Sequence, residues 1–277
     1  MMYLVLDKDI IKSDIIPYLP VAKRGFKTKS CLVEIVNSIL YKLKTGCQWH
    51  MLPTSSLFSN TVLHYKTVFG RYRKWCKLGA WQQVWEKLLN KYKDELDLSI
   101  VNLDGSHTPA LRGGEDVAYQ GRKKKKTTNT LFLTDKQGIP VAKSDSIPGN
   151  HNDLYQITNY FKSMLDTLNC AKIRIDGLFL NADSGFDSKE LRNLCNELEI
   201  IPNIAINKRN NAECDDIIVD ELLYEERYSI ERTNAWLDSC RTLLNRFDVT
   251  NSSWSDFNII GCIIILLKKI NKKQKSR

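Results

Sequence analysis

The chain has 277 residues, 43% of them hydrophobic, and a formal net charge of +9 from 41 Lys and Arg against 32 Asp and Glu. That length buries a sizeable core, enough for one large domain beside a smaller one, and the basic balance favours a polyanionic partner such as nucleic acid over a membrane. A spanning helix and a secretory leader are not expected: the best apolar run, Ile259 to Leu267, falls short of the roughly 18 residues a span needs, and Asp7, Lys8 and Asp9 interrupt the apolar opening.

The first elements along the chain are helical. Apolar positions 32, 33, 36, 39 and 40 predict a helix over 28–44, opened by Ser30 and closed near Gly46. A second helix is predicted from Ser59 to Trp75 and a third over about 80–94. Three helices with short connections, with Lys66, Arg71, Arg73 and Lys74 along the second, fit a DNA-binding helix-turn-helix module. They fit an ordinary bundle with a solvated basic face equally. Residues 1–95 are expected to form this small helical domain.

After Glu95 the texture changes to short apolar runs with turn signals between them. Strands are predicted at 98–104, 128–135 and 139–145, with a hairpin turn at Lys136-Gln137-Gly138. A helix over 152–168, a buried strand at 177–183, a helix over 187–198 and a strand at 200–206 follow. Two long helices, around 219–245 and 254–270, close the chain. The order β-β-β-α-β-α-β-α-α describes a mixed α/β domain over 96–277, with helices packed on a central sheet.

Two aspartates end apolar strands, Asp104 in V-N-L-D-G-S-H and Asp183 in F-L-N-A-D-S-G-F-D-S. Strand ends of this kind border the cleft in which open α/β sheets place their ligands. A third carboxylate from a helix would complete a cage of hard oxygens suited to magnesium. Three carboxylates can hold two ions about 4 Å apart, an arrangement that drives phosphodiester chemistry. In Y-E-E-R-Y-S-I-E-R-T-N-A-W-L-D (224–238), at about 100° per residue, Tyr224, Arg227, Glu231 and Asp238 share one helix face, and Glu225 and Glu226 fall off it. The same pattern also reads as an exposed helix with an Arg227–Glu231 pair worth only tenths of a kcal/mol.

Other features carry less. The run Arg122, Lys123, Lys124, Lys125 and Lys126 is either a phosphate grip or a solvated, self-repelling loop. Asp187 is expected to cap the next helix, Asp176 to lie in a turn, Trp236 to pack in the core, and 268–277 to be a frayed basic end. Eight cysteines at 31, 47, 76, 170, 195, 214, 240 and 262 form no C-x-x-C pair, and His50, His64, His107 and His151 form no i, i+4 pair. Reduced, mostly buried thiols of a cytosolic protein are expected, with solvated or core roles for the histidines.

The frame Tyr224-x2-Arg227-x3-Glu231, followed by Arg232, Thr233 and Ala235-Trp236, resembles the tyrosine-arginine-glutamate signature of DDE transposases of bacterial insertion sequences, specifically the insertion-sequence-five family. The likeness extends to G-C-Q-W-H-M-L-P (46–53), F-G-R-Y-R-K-W (69–75), L-G-A-W (78–81), L-D-G-S-H, P-G-N-H-N-D (148–153) and A-D-S-G-F-D-S (182–188). It implies a ribonuclease-H-like mixed sheet flanked by helices. Asp104, Asp183 and Glu231 would be the catalytic residues and the ligands of two Mg²⁺ (or Mn²⁺) ions, and Tyr224 and Arg227 would position the DNA end.

What the resemblance implies in function is a DNA transposase that binds terminal inverted repeats and carries out metal-dependent strand cleavage and strand transfer to move an insertion sequence. Its partners would be double-stranded DNA and a second copy in a synaptic homodimer, and its place the bacterial cytoplasm, at the nucleoid. The frame departs at Asp238, where the family commonly has a lysine, so that Arg241 or Arg246 would have to supply the phosphate contact. The rival reading is a catalytically impaired remnant that acts only as a DNA-binding protein.

Overall fold

The computed structural model describes residues 3–20, 30–207 and 219–275. Positions 28 and 29 of the first predicted helix, Cys214 and the last two tail residues lie outside the described residues.

The helical part begins with α1 (Lys8–Ile10) in a short helical run to Tyr18, then α2 (Leu32–Thr45), α3 (Thr54–Leu57), α4 (Tyr65–Lys77) and α5 (Ala80–Lys91). In α2 the backbone of Cys31, not Ser30, occupies the N-cap, because the Ser30 hydroxyl is committed to the Thr61 carbonyl at 2.9 Å. The end is as expected: Gly46 takes φ +69°, the left-handed conformation that stops a helix and favours glycine. The second predicted helix starts six residues late, at Tyr65. Ser59 is held by Glu34, whose Oε1 accepts its backbone N–H at 3.1 Å, and His64 caps α4 by accepting the Lys66 N–H on Nδ1.

The sheet runs β2-β3-β1-β6-β7, with β4 and β5 side by side along β3. Its strands are β1 (Val101–Pro109), β2 (Ala118–Gln120), β3 (Lys125–Asp135), β4 (Pro140–Lys143), β5 (Ile147–Pro148), β6 (Phe179–Ala182) and β7 (Ile201–Ile204). β1 and β3 are antiparallel over nine residue pairs, β6 lies parallel to β1, and β7 parallel to β6. The turn at 136–138 joins β3 to β4 as predicted, with the Gly138 N–H donating to Asp135 O at 2.9 Å. Antiparallel β1, β3 and β4, extended by two parallel strands reached through helices, give the expected ribonuclease-H-like mixed sheet. Two strands were not foreseen: β2, which is three residues long, and the two-residue β5.

Helices α6 (Ile157–Cys170) and α7 (Lys189–Glu197) connect the parallel strands. Ser188, not Asp187, caps α7, with its hydroxyl accepting the Leu191 N–H; Asp187 pairs with Arg192 at 2.8 Å and accepts the Asn207 N–H instead. The predicted long helix over 219–245 is three pieces, α8 (Glu221–Glu225), α9 (Tyr228–Asp238) and α10 (Arg241–Leu244). The last helix, α11 (Asn251–Lys275), is longer than expected and buried over most of its middle. The tail is therefore helical to Lys275 rather than frayed: Ile270 is buried, and Lys273 Nζ donates to the Glu95 carbonyl at 2.7 Å.

α11 packs on α4 and α5 and on β4, so one continuous core joins the N-terminal helices to the sheet. Burying that apolar surface is the main source of stability. The described cysteines are all free, but the expectation of mostly buried thiols fails: Cys195, Cys240 and Cys262 are buried, Cys47 and Cys76 half-buried, Cys31 and Cys170 exposed. Among the described residues no helix is long and apolar enough to cross a membrane.

Candidate active site

Strand register builds the site. Leu103 on β1 pairs with Ala182 on β6 in parallel, so Asp104 and Asp183, the next residue of each strand, emerge side by side. Gly105 lets another acid approach: a Cβ there would collide with Asp153 Oδ1, which accepts a hydrogen bond from buried Asn129 Nδ2 at 2.6 Å. Burial first of all pushes the Asp104 carboxyl up to about 6. The Arg227 guanidinium and the Gly105 N–H oppose that rise, and the charges of Asp183 and Asp153 add to it. Like charges crowded around a half-buried acid make a place where a cation is favoured.

The third acid comes from α9. Arg227, at the start of that helix, pairs with Glu231 at 3.1 Å and lies over the Tyr224 ring at 5.9 Å. Since Arg227 is also the charge that most favours ionised Asp104, it links Glu231 to the strand acids. The shared face drawn for Tyr224 to Asp238 needs one correction. The helix breaks between Glu225 and Tyr228, so Tyr224 stands on α8, while Arg227, Glu231 and Asp238 keep their helical spacing on α9.

As placed, each acid has its own partner. Asp104 Oδ2 accepts Asn234 Nδ2 at 3.0 Å, Asp183 Oδ1 accepts the Gly185 N–H at 2.8 Å, and Glu231 has Arg227. Among the described residues no trio of acidic, histidine or cysteine side chains is close enough to share an ion in this arrangement. The donor set nonetheless suits a hard divalent cation: it is all oxygen, and the Asn234 Oδ1 beside Asp104 is buried without a hydrogen-bond partner.

A buried polar ladder, not foreseen from sequence, holds these pieces. Asn102, Asn181 and Asn203 stand in register across β1, β6 and β7. Asn203 Nδ2 donates to Asn181 Oδ1 at 2.7 Å, and Asn181 Nδ2 donates to Asn102 Oδ1 at 3.2 Å. The ladder reaches the helices: Asn181 Nδ2 also donates to the Leu223 carbonyl on α8, and Asn102 Nδ2 to Ser229 Oγ on α9. The signal for it was the repeated Asn-x-Asp frame, Asn102 with Asp104 and Asn181 with Asp183. One residue faces the core and the residue two further along the strand reaches the cleft.

The basic residues fall in two places. Arg122 to Lys126 are all exposed and form the tight turn between β2 and β3 and the start of β3, with Lys123 Nζ donating to the His107 carbonyl on β1 at 3.3 Å. Lys66, Arg73 and Lys74 are exposed on α4, and half-buried Arg71 lies over the Trp75 ring. Asp238 ends α9 and borders Ser106 and Thr108 of β1. Burial raises its pKa and Lys123 lowers it, so the basic hairpin is the charge it faces. Arg246 cannot replace the missing lysine: it is fully buried, donating to the Asp248 carbonyl and to Asn251 Oδ1. Arg241 is exposed, but its Cβ packs against Gly46, toward the helical part.

Two family models match the chain. One, described as a transposase DDE domain, covers residues 95–267, and the other, a putative transposase of the IS4/5 family, covers residues 13–85. Among solved structures the chain is similar to a piggyBac transposase synaptic complex with hairpin DNA, at 12% identity over 91% of this chain and 70% of that one, with a TM-score of 0.49. It is also similar to a Mos1 transposase paired-end complex with left transposon end, at 12% identity over 90% of this chain and 82% of that one, with a TM-score of 0.31. No curated protein is significantly similar to the chain.

Proposed function

The chain belongs to the family of transposases with a DDE domain, and from that premise we propose that this DNA transposase binds the terminal inverted repeats of its own element and uses one acidic site to cut the strand and to join it to target DNA. The observation that carries the reading is the Leu103–Ala182 register, which sets Asp104 and Asp183 side by side, with Arg227, the partner of Glu231, acting on Asp104. Asp104, Asp183 and Glu231 would hold a pair of Mg²⁺ or Mn²⁺ ions. When bound, such a pair activates the attacking oxygen and stabilises the leaving one.

The chain's own residues do the rest. Arg227 balances the charge of the acids and, with Tyr224, orients the DNA end. The hairpin 122–126 and, in the helical domain 1–95, Lys66, Arg71, Arg73 and Lys74 grip the backbone. Both steps are in-line displacements at phosphorus, so one site serves both. Asp238 supports a rearranged phosphate grip more than a decayed one, because Lys123 faces it from the hairpin. Synapsis of two ends calls for a homodimer, and the work would be done in the bacterial cytoplasm at the nucleoid.

A strand-transfer assay with a precut repeat end tests the proposal. Joined product is expected, whereas cleavage without joining would indicate a simple nuclease, and binding without either reaction a remnant. The grip has its own test. Replacing Lys123, Lys124 and Lys125 by alanine should weaken DNA binding about equally for all sequences, and flatten the slope of log K against log salt by about 0.9 for each phosphate that the hairpin no longer neutralises. An unchanged slope would leave the hairpin as a solvated loop.

A further inference from the structure

The segment G-C-Q-W-H-M-L-P has no part in the chemistry above, yet residues 46–50 of it line a cavity of about 570 Å³. The floor is Lys42, whose side chain is buried. Its ammonium lies 5.9 Å from the Trp49 ring and 5.4 Å from the Phe257 ring, and its one hydrogen bond among the described residues, to Thr242 Oγ1, is long at 3.3 Å. Among the described residues no carboxylate forms an ion pair with it. Asp248, which also lines the cavity, accepts from Ser253 Oγ at 2.7 Å. A buried cation held by one long hydrogen bond and no ion pair is stabilised by an anion; burial presses the Lys42 pKa down, and the charge of Asp248 opposes that fall.

The mouth has a different character. Arg112 and His50 are exposed there with Gln48, and Phe247 adds an apolar wall that is 50% exposed. Leu111 and Val249, 62% and 52% exposed, extend that apolar surface, because the Leu111 N–H donates to the Arg246 carbonyl and so holds the loop after β1 beside 246–249. The volume lies within the range of small-ligand pockets and exceeds what a phosphate alone would fill. An aromatic wall for a flat ring, an amide and an imidazole for its polar edge, and two cations for a phosphate belong to one chemistry.

We propose that this cavity is a nucleotide site, in which a base rests against Trp49 and Phe247 with its edge on Gln48 and His50, and the phosphate meets Lys42 and Arg112. The site is separate from the acids. From Asp104 to Pro109, β1 runs about 17 Å before the loop carrying Arg112 begins. That span is about five base-pair steps, so a nucleotide extruded from DNA held at the acids can reach it. A free nucleotide has the same chemistry. The DNA source rests on the function proposed above; the site itself does not.

The test uses the full chain in EDTA, so that no cleavage intervenes. One arm measures saturation transfer to the four 5′-deoxynucleoside monophosphates. The other follows fluorescence of a duplex carrying one extrahelical 2-aminopurine, against the fully paired duplex. The expected result is quenching and about ten-fold tighter binding of the extrahelical duplex, a preference lost in Arg112→Ala and in Lys42→Met, with thermal melts reporting whether each variant folds. Transfer to a monophosphate without that preference assigns the site to a free nucleotide. Transfer with no binding of either duplex would overturn the DNA function and leave the site standing. No transfer and no preference, or a preference that survives Arg112→Ala, would overturn the inference.

Discussion

Asparagine at Asp104 is expected to abolish metal-dependent strand cleavage, by about 10³-fold or more, and at the same time to raise the melting temperature of the metal-free protein above pH 6. The first effect follows from removing a charged oxygen from the centre of the acidic cluster. The second follows from the direction of the pKa shift. Burial and the neighbouring charges of Asp183 and Asp153 hold the Asp104 carboxyl up at about 6, above its unfolded value. A group raised on folding contributes stability that is fully present below its unfolded pKa and is lost as pH rises through the folded one. Between about pH 4 and 6 the native protein therefore gives up stability at this residue, and the asparagine variant does not. Thermal melts at pH 4.5 and 7.5 check this: the variant should gain at 7.5 only. A variant less stable than the native chain at pH 7.5 would show that Arg227 and Asn234 outweigh burial at this acid.

Alanine at Asn181 is expected to cost stability rather than DNA affinity. Its side chain is fully buried, donates to Asn102 and to the Leu223 carbonyl, and accepts from Asn203. Removing it strips those bonds from buried Asn102 and Asn203 and from the carbonyl of half-buried Leu223. Asn203 keeps a second acceptor in the Asp220 carbonyl and the Leu223 carbonyl keeps the Glu226 N–H, so the Asn102 side-chain oxygen is the partner left short. At about 1–3 kcal/mol for a buried group left without a partner, the loss is about 1–3 kcal/mol, or a fall in melting temperature of roughly 2–12 °C for a chain of this size. Leu223 lies on α8 and Asn102 holds α9 through Ser229, so hydrogen exchange should rise first at the start of α8 and α9. A melting temperature within a degree of the native value would remove the ladder as the support of that helix pair.

How much of this was legible in the sequence varied by element. The parallel strands were plain because strands covered on both faces read as apolar runs, and Asp104 and Asp183 were plain because each ends such a run. The break after Glu225 was hidden. Y-E-E-R-Y carries no glycine or proline, and its local pattern is helical throughout. Tertiary bonds decide it: Asn181 takes the Leu223 carbonyl, and Asn203 accepts the Asp220 N–H. The late start of α4 was hidden for the same reason, since Glu34, 25 residues away, captures Ser59. Asp153 escaped notice because only the missing side chain of Gly105 lets it approach Asp104. The burial of Arg246 could not be read from a basic residue in a polar stretch, because its carbonyl and amide partners come from the loop that follows it.

The most direct test of the central reading is cleavage of a repeat-end duplex in Mg²⁺ by the Glu231→Ala variant, beside a binding measurement on the same DNA. Glu231 is exposed and its visible partner is Arg227, so the variant should fold and bind the end as the native chain does. The account predicts bound DNA and no cut strand. A variant that binds and still cuts would contradict it.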